Sequence, residues 1–233
     1  MKTAMILAAG RGERLKPLTD KQPKALCLVE KKPLIEHHIE HLSAAGFERI
    51  VVNHAYLGSK IRHHLGNGSK WGVEICYTPE PPGGLETGGG IFNALPYLGK
   101  KPFVTVNADV FTDFDFRMLK LEDGIMSHLI LVENPKHNHS GDFNLISNKI
   151  LSNDRRYTWA GIAIYNPEAF QSIEIGRYSV VPLIRDLAKQ SLATGELYQG
   201  IWVDIGSSER LQFANNLVEI KGTEKARRAI SVS

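Results

Sequence analysis

The sequence predicts an α/β fold, a three-layer sandwich in which helices cover both faces of a mostly parallel, mixed central sheet. Residues 5–8, 49–53, 73–77 and 103–107 form short apolar runs of the length expected for buried strands. Between them lie segments whose apolar residues recur with the period of an amphipathic helix. Strands that alternate with helices in this way favour right-handed crossovers, which bring the carboxyl ends of the strands to one edge of the sheet.

The helices of the first half have recognisable ends. In the segment 33–45, Pro33 suits a helix start, Gly46 suits a helix end, and apolar residues recur on one face. The next helix is predicted at residues 57–65, and a third is predicted with Thr87 as its N-cap.

The second half of the chain is less regular. The predicted elements are strands at residues 125–132 and 157–165, a hairpin at 142–151 that turns at Ser147-Asn148, and helices at 179–189 and 207–220. Ser207 is expected to cap the last helix. No repeat or linker divides the chain, so we expect a single domain over residues 1–233 with a flexible tail at 222–233.

The composition restricts the classes of partner. A net charge of +3, with basic residues spread along the chain, argues against a nucleic-acid partner. Cys27 and Cys76 form no CxxC pair, which is typical of proteins from a reducing compartment. The first apolar run is too short for a membrane span. We therefore expect a cytoplasmic protein without a membrane partner, either a monomer or a small homo-oligomer.

The first strand runs into a loop that contains Gly10, Arg11, Gly12 and Arg14. Glycines allow backbone N–H groups to approach phosphate oxygens, and arginines add charge and forked donors. The loop is not a P-loop, and Leu15 stands in place of the third glycine of a dinucleotide fingerprint. A phosphate-binding loop is the favoured interpretation, and a tight turn with surface arginines is the alternative.

Lys24 and two aspartates extend this candidate phosphate site. Lys24 follows Pro23, whose ring fixes the backbone before it. Asp109 follows the strand at 103–107, and carboxylates at the carboxyl ends of parallel strands lie in the ligand crevice. Asp204 is embedded in apolar residues, where a carboxylate needs either a cation partner or a helix-capping role. Oxygen ligands of this kind suit Mg²⁺, so both aspartates are candidate ligands.

Two further patterns allow more than one interpretation. Three successive glycines at 88–90 would each destabilise a helix by roughly 1 kcal/mol relative to alanine, which suggests that a flat group such as a nucleobase or ribose approaches the backbone. A mobile lid is the alternative. Six of the nine histidines form groups that lack companions at metal-ligand spacing and are typical of solvated surfaces, and these six are at 37, 41, 63, 64, 137 and 139.

Several motifs taken together resemble the sugar-1-phosphate nucleotidylyltransferases, and the likeness runs from Met5 to about Leu217. Residues 7–19, with Pro23-Lys24 following, are similar to the signature of that family. The resemblance implies a Rossmann-like sandwich of the nucleotide-diphospho-sugar transferase type.

Within this family, other segments resemble the bacterial uridylyltransferases that act on N-acetylmuramate 1-phosphate in peptidoglycan recycling. The similar segments are residues 52–58, 85–92 and 141–143. The mannose-1-phosphate guanylyltransferases share much of this pattern. The segment 81–84 is one residue longer than the resemblance to the uridylyl enzymes implies, and this departure concerns the choice of base.

The resemblance also implies a role for each matching residue. The implied catalytic residues are Arg14, Lys24 and Asp109, and Asp109 and Asp204 would hold Mg²⁺. The implied nucleotide contacts are Ala8, Gly10, Arg11, Gly12, Lys24, Glu80, Gly88 and Asn107. The implied contacts of the acceptor sugar are Asp142, Thr158, Gly161 and Asp204.

The implied reaction joins a nucleoside triphosphate to a sugar 1-phosphate and releases pyrophosphate. UTP and N-acetylmuramic acid 1-phosphate are the favoured substrates, with GTP and mannose or another hexose 1-phosphate, or CTP and phosphocholine, as alternatives. A non-catalytic nucleotide-sugar sensor is a further alternative, but it would be expected to lack one of the groups at 14, 24, 109 and 204. All of these groups are present in the chain.

Overall fold

The structure is a computed structural model that describes residues 1–171 and 173–219. Its strands are β1 (Thr3–Leu7), β2 (Leu28–Val29), β3 (Lys32–Pro33), β4 (Arg49–His54), β5 (Glu74–Pro79), β6 (Phe103–Asn107), β7 (Val110–Thr112), β8 (Ser127–Glu133), β9 (Asn144–Ile146), β10 (Lys149–Leu151), β11 (Tyr157–Tyr165), β12 (Ala193–Leu197) and β13 (Trp202–Asp204). The flexible tail predicted at 222–233 lies outside the described residues.

The helices are α1 (Leu18–Lys21), α2 (Leu34–Ala44), α3 (Gly58–Leu65), α4 (Glu86–Leu98), α5 (Val181–Lys189) and α6 (Ser208–Glu219). None of the helices in the described part of the chain has the length and apolar character that a membrane span requires. The backbone N–H of Arg210 lies 3.4 Å from the hydroxyl of Ser207, in agreement with the predicted cap of the last helix.

Nine strands form one sheet in the order β5-β4-β1-β6-β11-β8-β12-β10-β9. The pairs among β5, β4, β1 and β6 are parallel, and β11 joins β6 in the antiparallel direction. Beyond β11 the pairing is mixed, because β12 runs parallel to β8 but antiparallel to β10. The predicted α/β fold with a mixed central sheet is confirmed.

The two faces of the sheet support separate apolar layers, as the alternation of side chains in a strand requires. On one face, Ile6 and Val52 pack in a buried cluster with residues of α2 and α3. On the other face, Met5 and Val51 pack with residues of α4 and α5. A smaller cluster of buried residues joins α6 to the start of α2 and to the β7–β13 pair.

Several short strands were not predicted from the sequence, among them β7 and β12. Strand β7 is only three residues long and lies directly after Asp109. Strand β12 contains Gly195, where an added Cβ would lie 2.7 Å from the carbonyl oxygen of Leu129. The position therefore has no room for the larger apolar side chains by which a strand is recognised in a sequence.

The glycine tract at the start of α4 packs against protein rather than against an open surface. The N–H groups of Gly88 and Gly89 donate to the carbonyl oxygen of Tyr178 at 2.9 and 3.1 Å. A Cβ on Gly88 would lie 2.5 Å from the Tyr178 ring, and one on Gly89 would lie 2.0 Å from the carbonyl oxygen of Gly176. At Gly88 and Gly89 the segment 176–178 therefore fills the space beside the backbone where a flat ligand was expected, so packing within the protein accounts for these two glycines.

The same segment explains why Thr87 is not the N-cap of α4. The helix begins at Glu86, and its N-cap position is Leu85. The hydroxyl of Thr87 instead accepts a hydrogen bond of 3.0 Å from the backbone N–H of Val180. The chain before α5 is thus attached to the first turn of α4 through both backbone and side-chain groups.

We expect Gly89→Ala to destabilise the protein by about 1–3 kcal/mol, because the added methyl group meets a backbone oxygen that cannot move without separating the two segments. The free energy of unfolding in urea measures this effect. Gly10→Ala is the matched control, since a Cβ there has no heavy atom within 4 Å. A Gly89→Ala variant as stable as the control would contradict the packing described here.

Candidate active site

A cleft of about 940 Å³ opens where β1, β4 and β6 end. The register explains its position, because Leu7 at the end of β1 pairs with Asn53 of β4 and with Asn107 of β6. Loops after these three strands therefore meet at one edge, as predicted. The residues predicted for the site that line this cleft are Ala8, Gly10, Arg11, Lys24, Glu80, Asn107 and Asp109.

The loop after β1 is held by its own side chains. Gly12 has a left-handed backbone with φ of 72°, and its carbonyl oxygen accepts a hydrogen bond of 2.8 Å from the hydroxyl of Thr19. Arg11 donates to the carbonyl oxygen of Thr19 at 2.8 Å, and its guanidinium lies 3.6 Å from the centre of the Tyr56 ring. Gly12 itself does not line the cleft, so its contribution is to the conformation of the loop.

Lys24 and Asp109 form an ion pair at the floor of the cleft. The Lys24 ammonium donates to Oδ2 of Asp109, and the lysine side chain is only 13% exposed. Pro23 and a short helical turn at Lys24–Leu26 direct the lysine inward, in agreement with the sequence prediction. The carbonyl oxygen of Asp109 accepts a hydrogen bond of 2.7 Å from the N–H of Ile205, which ties this loop to the end of β13.

Asp204 is surrounded by basic side chains. Nη1 of Arg210 lies 2.8 Å from Oδ1 and 2.7 Å from Oδ2 of Asp204, and Nε2 of His137 lies 2.8 Å from Oδ1. Burial raises the pKa of Asp204 and the negative charge of Asp109 adds to that rise, while Arg210 and His137 oppose it. Burial, with Arg210 and Arg14 nearby, lowers the pKa of His137.

Arg14 lies outside the cleft lining, on the side of this second cluster. A Cβ on Gly206 would lie 1.8 Å from Nη2 of Arg210 and 3.2 Å from Nη2 of Arg14. Gly206 therefore gives room for two guanidinium groups close to Asp204. Two adjacent arginines beside one carboxylate leave an excess of positive charge at this end of the site, which favours an anionic ligand.

A smaller pocket of about 220 Å³ adjoins the cleft and shares Asn107 and Asp109 with it. Its other lining residues are Val110, His137, Asn138, Thr158, Trp159, Ala160, Gly161, Trp202 and Asp204. Asp142 stands behind it, where Oδ2 accepts a hydrogen bond of 2.9 Å from the N–H of Trp159. Two indoles with several amide and hydroxyl groups form a surface suited to a sugar ring.

Asn107 stands at the junction of the two pockets. Its Oδ1 is buried and has no hydrogen-bond partner among the described residues. Its amide group fills the space beside Gly161, where a Cβ would lie 2.6 Å from Nδ2. An unsatisfied buried acceptor at the meeting point of two pockets is a group that a ligand could satisfy.

A family model described as Nucleotidyl transferase matches residues 3–220. The chain belongs to the nucleotidyl transferase family. It is 48% identical over 224 residues to an N-acetylmuramate alpha-1-phosphate uridylyltransferase of Neisseria meningitidis, and the match covers 92% of this chain and 97% of the relative. The likeness that the sequence motifs indicated is confirmed.

Other members of the nucleotidyl transferase family are more distant. A mannose-1-phosphate guanylyltransferase catalytic subunit beta of Drosophila pseudoobscura pseudoobscura is 28% identical, over 87% of this chain and 58% of the relative. A solved structure of UDP-glucose pyrophosphorylase complexed with UDP-glucose has a TM-score of 0.76 at 19% identity, covering 95% of this chain and 99% of that one. At that identity the likeness concerns the fold.

Some predicted site residues of this nucleotidyl transferase lie apart from both pockets. Gly88 is buried against Tyr178, and Gly12, Arg14 and Asp142 support the walls rather than line them. Ala8 lines the cleft, but its N–H already donates to the side chain of Asn53 at 2.7 Å, so this N–H is not free for a nucleotide.

Sequence reasoning missed several residues that the fold brings to the site. His137 was interpreted as a solvated histidine, but it contacts Asp204 and lines the smaller pocket. Arg210 and Arg177 carried no local signal, although Arg177 lines the cleft. A basic residue in the first turn after the Asp204-Ile205-Gly206 motif is the one feature that could have marked Arg210.

The donor set at the junction fits a hard divalent cation. Asp109 and Asp204 line the same pocket, and Mg²⁺ is commonly held by one or two carboxylates together with substrate phosphates. Asp109 retains a free oxygen, since Lys24 uses only Oδ2, whereas both oxygens of Asp204 accept from Arg210, so a cation there would share the carboxylate with this arginine. No cluster of three or more potential metal-binding side chains occurs within residues 1–171 and 173–219, so the substrates would have to complete the coordination.

We expect Gly206→Ala to lower turnover by about tenfold to a hundredfold, because its methyl group displaces the Arg210 guanidinium from Asp204. Arg210 can swing away, so the free energy of unfolding should change little. Arg210→Met should reproduce the loss, whereas Gln212→Met, an exposed position on the same helix, should not. Comparable turnover in the Arg210→Met and Gln212→Met variants would refute a role for Arg210.

Proposed function

We propose that the protein is a Mg²⁺-dependent uridylyltransferase that joins UTP to N-acetylmuramic acid 1-phosphate and releases pyrophosphate. The observation that carries this proposal is the junction of two pockets at Asn107 and Asp109, one with phosphate-binding features and one with features suited to a sugar. The relative from Neisseria meningitidis supports the choice of both substrates. A role in cytoplasmic peptidoglycan recycling follows from that choice.

The triphosphate would occupy the larger cleft. Gly10 lines this cleft, and no heavy atom lies within 4 Å of the position that its Cβ would take, so a phosphate can approach the backbone closely. Arg11 and Lys24 also line the cleft and add positive charge. Asn107 lines the same cleft and would face the nucleoside. Glu80 also lines it and would lie near the base, with both carboxylate oxygens already accepting from Asn53 and Leu85. Gly12 contributes by fixing the loop through its left-handed backbone.

The acceptor would occupy the smaller pocket, with its phosphate toward the junction. Thr158 and Gly161 line this pocket, and Asp142 fixes its wall through the N–H of Trp159. Arg14 and Arg210 place positive charge behind Asp204, and His137 contacts Oδ1 of Asp204 at 2.8 Å. That charge would favour an acceptor with an additional anionic group, such as the carboxylate of N-acetylmuramic acid, over a hexose 1-phosphate whose only charge is its phosphate.

The reaction would be a direct displacement at the α-phosphorus. An oxygen of the sugar phosphate forms the new P–O bond while the bond to the bridging oxygen of pyrophosphate breaks, and the leaving group takes the electron pair. The attacking oxygen is anionic at neutral pH, so no general base is needed. This explains a site without a nucleophile–base pair among its lining residues.

The main obstacle is repulsion between the two phosphorylated substrates. Two unit charges 4 Å apart repel by roughly 4 kcal/mol at an effective dielectric of 20. Lys24 stands at the junction with its charge largely shielded from solvent and would offset part of that repulsion. Mg²⁺ held by Asp109 and Asp204 would supply further neutralisation of the phosphate charge.

A matrix of nucleoside triphosphates against sugar 1-phosphates, read by pyrophosphate release, tests this function. We expect UTP with N-acetylmuramic acid 1-phosphate to give the highest kcat/KM, because the relative from Neisseria meningitidis is a uridylyltransferase for that sugar and because Arg14 and Arg210 lie beside Asp204 at the acceptor pocket. A higher kcat/KM with GTP and mannose 1-phosphate would overturn the substrate assignment. Binding without turnover across the whole matrix would indicate a non-catalytic sensor.

We expect Asp109→Ala to reduce turnover by about a hundredfold or more while the protein stays folded. The variant removes a proposed ligand of Mg²⁺ and also leaves Lys24 without its carboxylate partner. Steady-state kinetics at saturating Mg²⁺ measure the loss, and Asp123→Ala, in an exposed turn, serves as the control. Near-normal turnover in a folded Asp109→Ala protein would remove this residue from the catalytic set.

A further inference from the structure

A chain of three hydrogen bonds runs through the wall of the cleft, and three of the four residues that it joins, Ala8, Asn53 and Glu80, line the cleft. The N–H of Ala8 donates to Oδ1 of Asn53 at 2.7 Å, and Nδ2 of Asn53 donates to Oε1 of Glu80 at 2.6 Å. Oε2 of Glu80 then accepts from the N–H of Leu85 at 2.7 Å. These hydrogen bonds thus join Ala8, directly before the loop at 9–14 (the phosphate loop), to Leu85, directly before α4, and so connect two separate loops that border the cleft.

The two side chains in the middle of this chain are enclosed. Asn53 is 1% exposed and Glu80 is 9% exposed. A Cβ on Gly90 would lie 2.7 Å from Oε1 of Glu80 and 2.8 Å from Nδ2 of Asn53, so the third glycine of the tract gives these groups their space. Hydrogen bonds in such surroundings are costly to leave unmade, because no water replaces a lost partner.

The donors and acceptors of the chain require these residue types. Both oxygens of Glu80 face N–H donors, and a carboxylate is the side chain that only accepts. Asn53 must accept from Ala8 and donate to Glu80, which an amide does and a carboxylate does not. In Glu80→Gln, the new NH₂ group faces an N–H donor in either orientation of the amide, either Nδ2 of Asn53 or the N–H of Leu85. In Asn53→Asp, the carboxylates at positions 53 and 80 face each other.

We propose that Asn53 is a positioning residue, which acts through Ala8 and Glu80 to fix the distance between the phosphate loop and the loop at 81–85. Without these hydrogen bonds the two loops can separate, so a ligand that contacts both loops loses affinity. A nucleoside triphosphate in the larger cleft would contact both loops, whereas the lining of the smaller acceptor pocket includes no residue of these hydrogen bonds. The inference rests on the proposed function only in that a nucleotide occupies the cleft.

The reversed pair Asn53→Asp with Glu80→Gln offers a sharp test. The new carboxylate at position 53 would accept both from the N–H of Ala8 and from the new amide at position 80. The carbonyl oxygen of that amide would in turn accept from the N–H of Leu85. All three hydrogen bonds survive with the polarity of the middle one reversed. If Glu80 acted only by touching the nucleotide, the double variant would keep the defect of Glu80→Gln.

The experiment measures the Kd of the nucleoside triphosphate that the wild-type protein binds most tightly, by calorimetry with Mg²⁺ present, so that it does not depend on which base is preferred. We expect Asn53→Asp and Glu80→Gln each to weaken binding by about tenfold or more, and the double variant to return within about fivefold of wild type. In turnover assays the KM of the nucleotide should rise while the KM of the sugar phosphate stays unchanged.

Thr78→Val is the matched control. Thr78 pairs with Asn53 across β4 and β5, is 1% exposed, and its hydroxyl has no hydrogen-bond partner among the described residues. This variant should bind nucleotide as wild type does. Two results would overturn the proposal: single variants with unchanged nucleotide Kd, or a double variant no better than the weaker single one. A double variant that fails to fold would also contradict it, because every hydrogen bond should be kept.

Discussion

The parallel pairing of β1 with β4 and β6 is the constraint on which the rest of the site depends. It sets Leu7 beside both Asn53 and Asn107, so three chain segments leave the sheet at the same edge. The loop at 9–14, the loop between β4 and α3, and the loop that carries Asp109 then have only a few residues in which to diverge. A shift of one residue in this register would turn Asn53 to the opposite face of the sheet and separate Ala8 from Glu80.

The second constraint is the close contact between α4 and the segment before α5. Glycines at 88 and 89 allow the carbonyl oxygen of Tyr178 to take the free N–H groups of the first helical turn. Gly90 allows Asn53 and Glu80 to approach from the other side. The first turn of α4 thus contacts the segment 176–178 on one side and the side chains of Asn53 and Glu80 on the other. Its glycines are required for these contacts within the protein.

Local patterns in the sequence were sufficient for the architecture. Apolar runs located the main strands of the sheet, and Pro33, Gly46 and Ser207 marked helix ends that the structure confirms to within one or two residues. Short strands such as β7 and β12 carried too few apolar residues to be recognised. The Gly10 loop, Lys24 and Asp109 were identifiable because each follows a strand or a fixed turn.

Pairings between distant residues could not be predicted in the same way. Asp204 meets His137 through the fold, and the two residues lie far apart in the chain. Asn53 has no unusual neighbours in the sequence, and its role depends on Ala8 and Glu80 arriving from other loops. The packing of the glycine tract could not be predicted for the same reason, since the residues that fill the space beside it come from the segment 176–178.

The ion pairs of Asp109 with Lys24 and of Asp204 with Arg210 have a consequence for the turnover cycle. Before any ligand binds, each carboxylate already has an internal counterion, so the empty site does not hold two uncompensated anions. In the proposed reaction, ligand binding would exchange the partners of these groups, and departure of the products would restore the internal pairs. Release of pyrophosphate, a highly charged product, would be favoured because Lys24 can return to the carboxylate of Asp109 beside it.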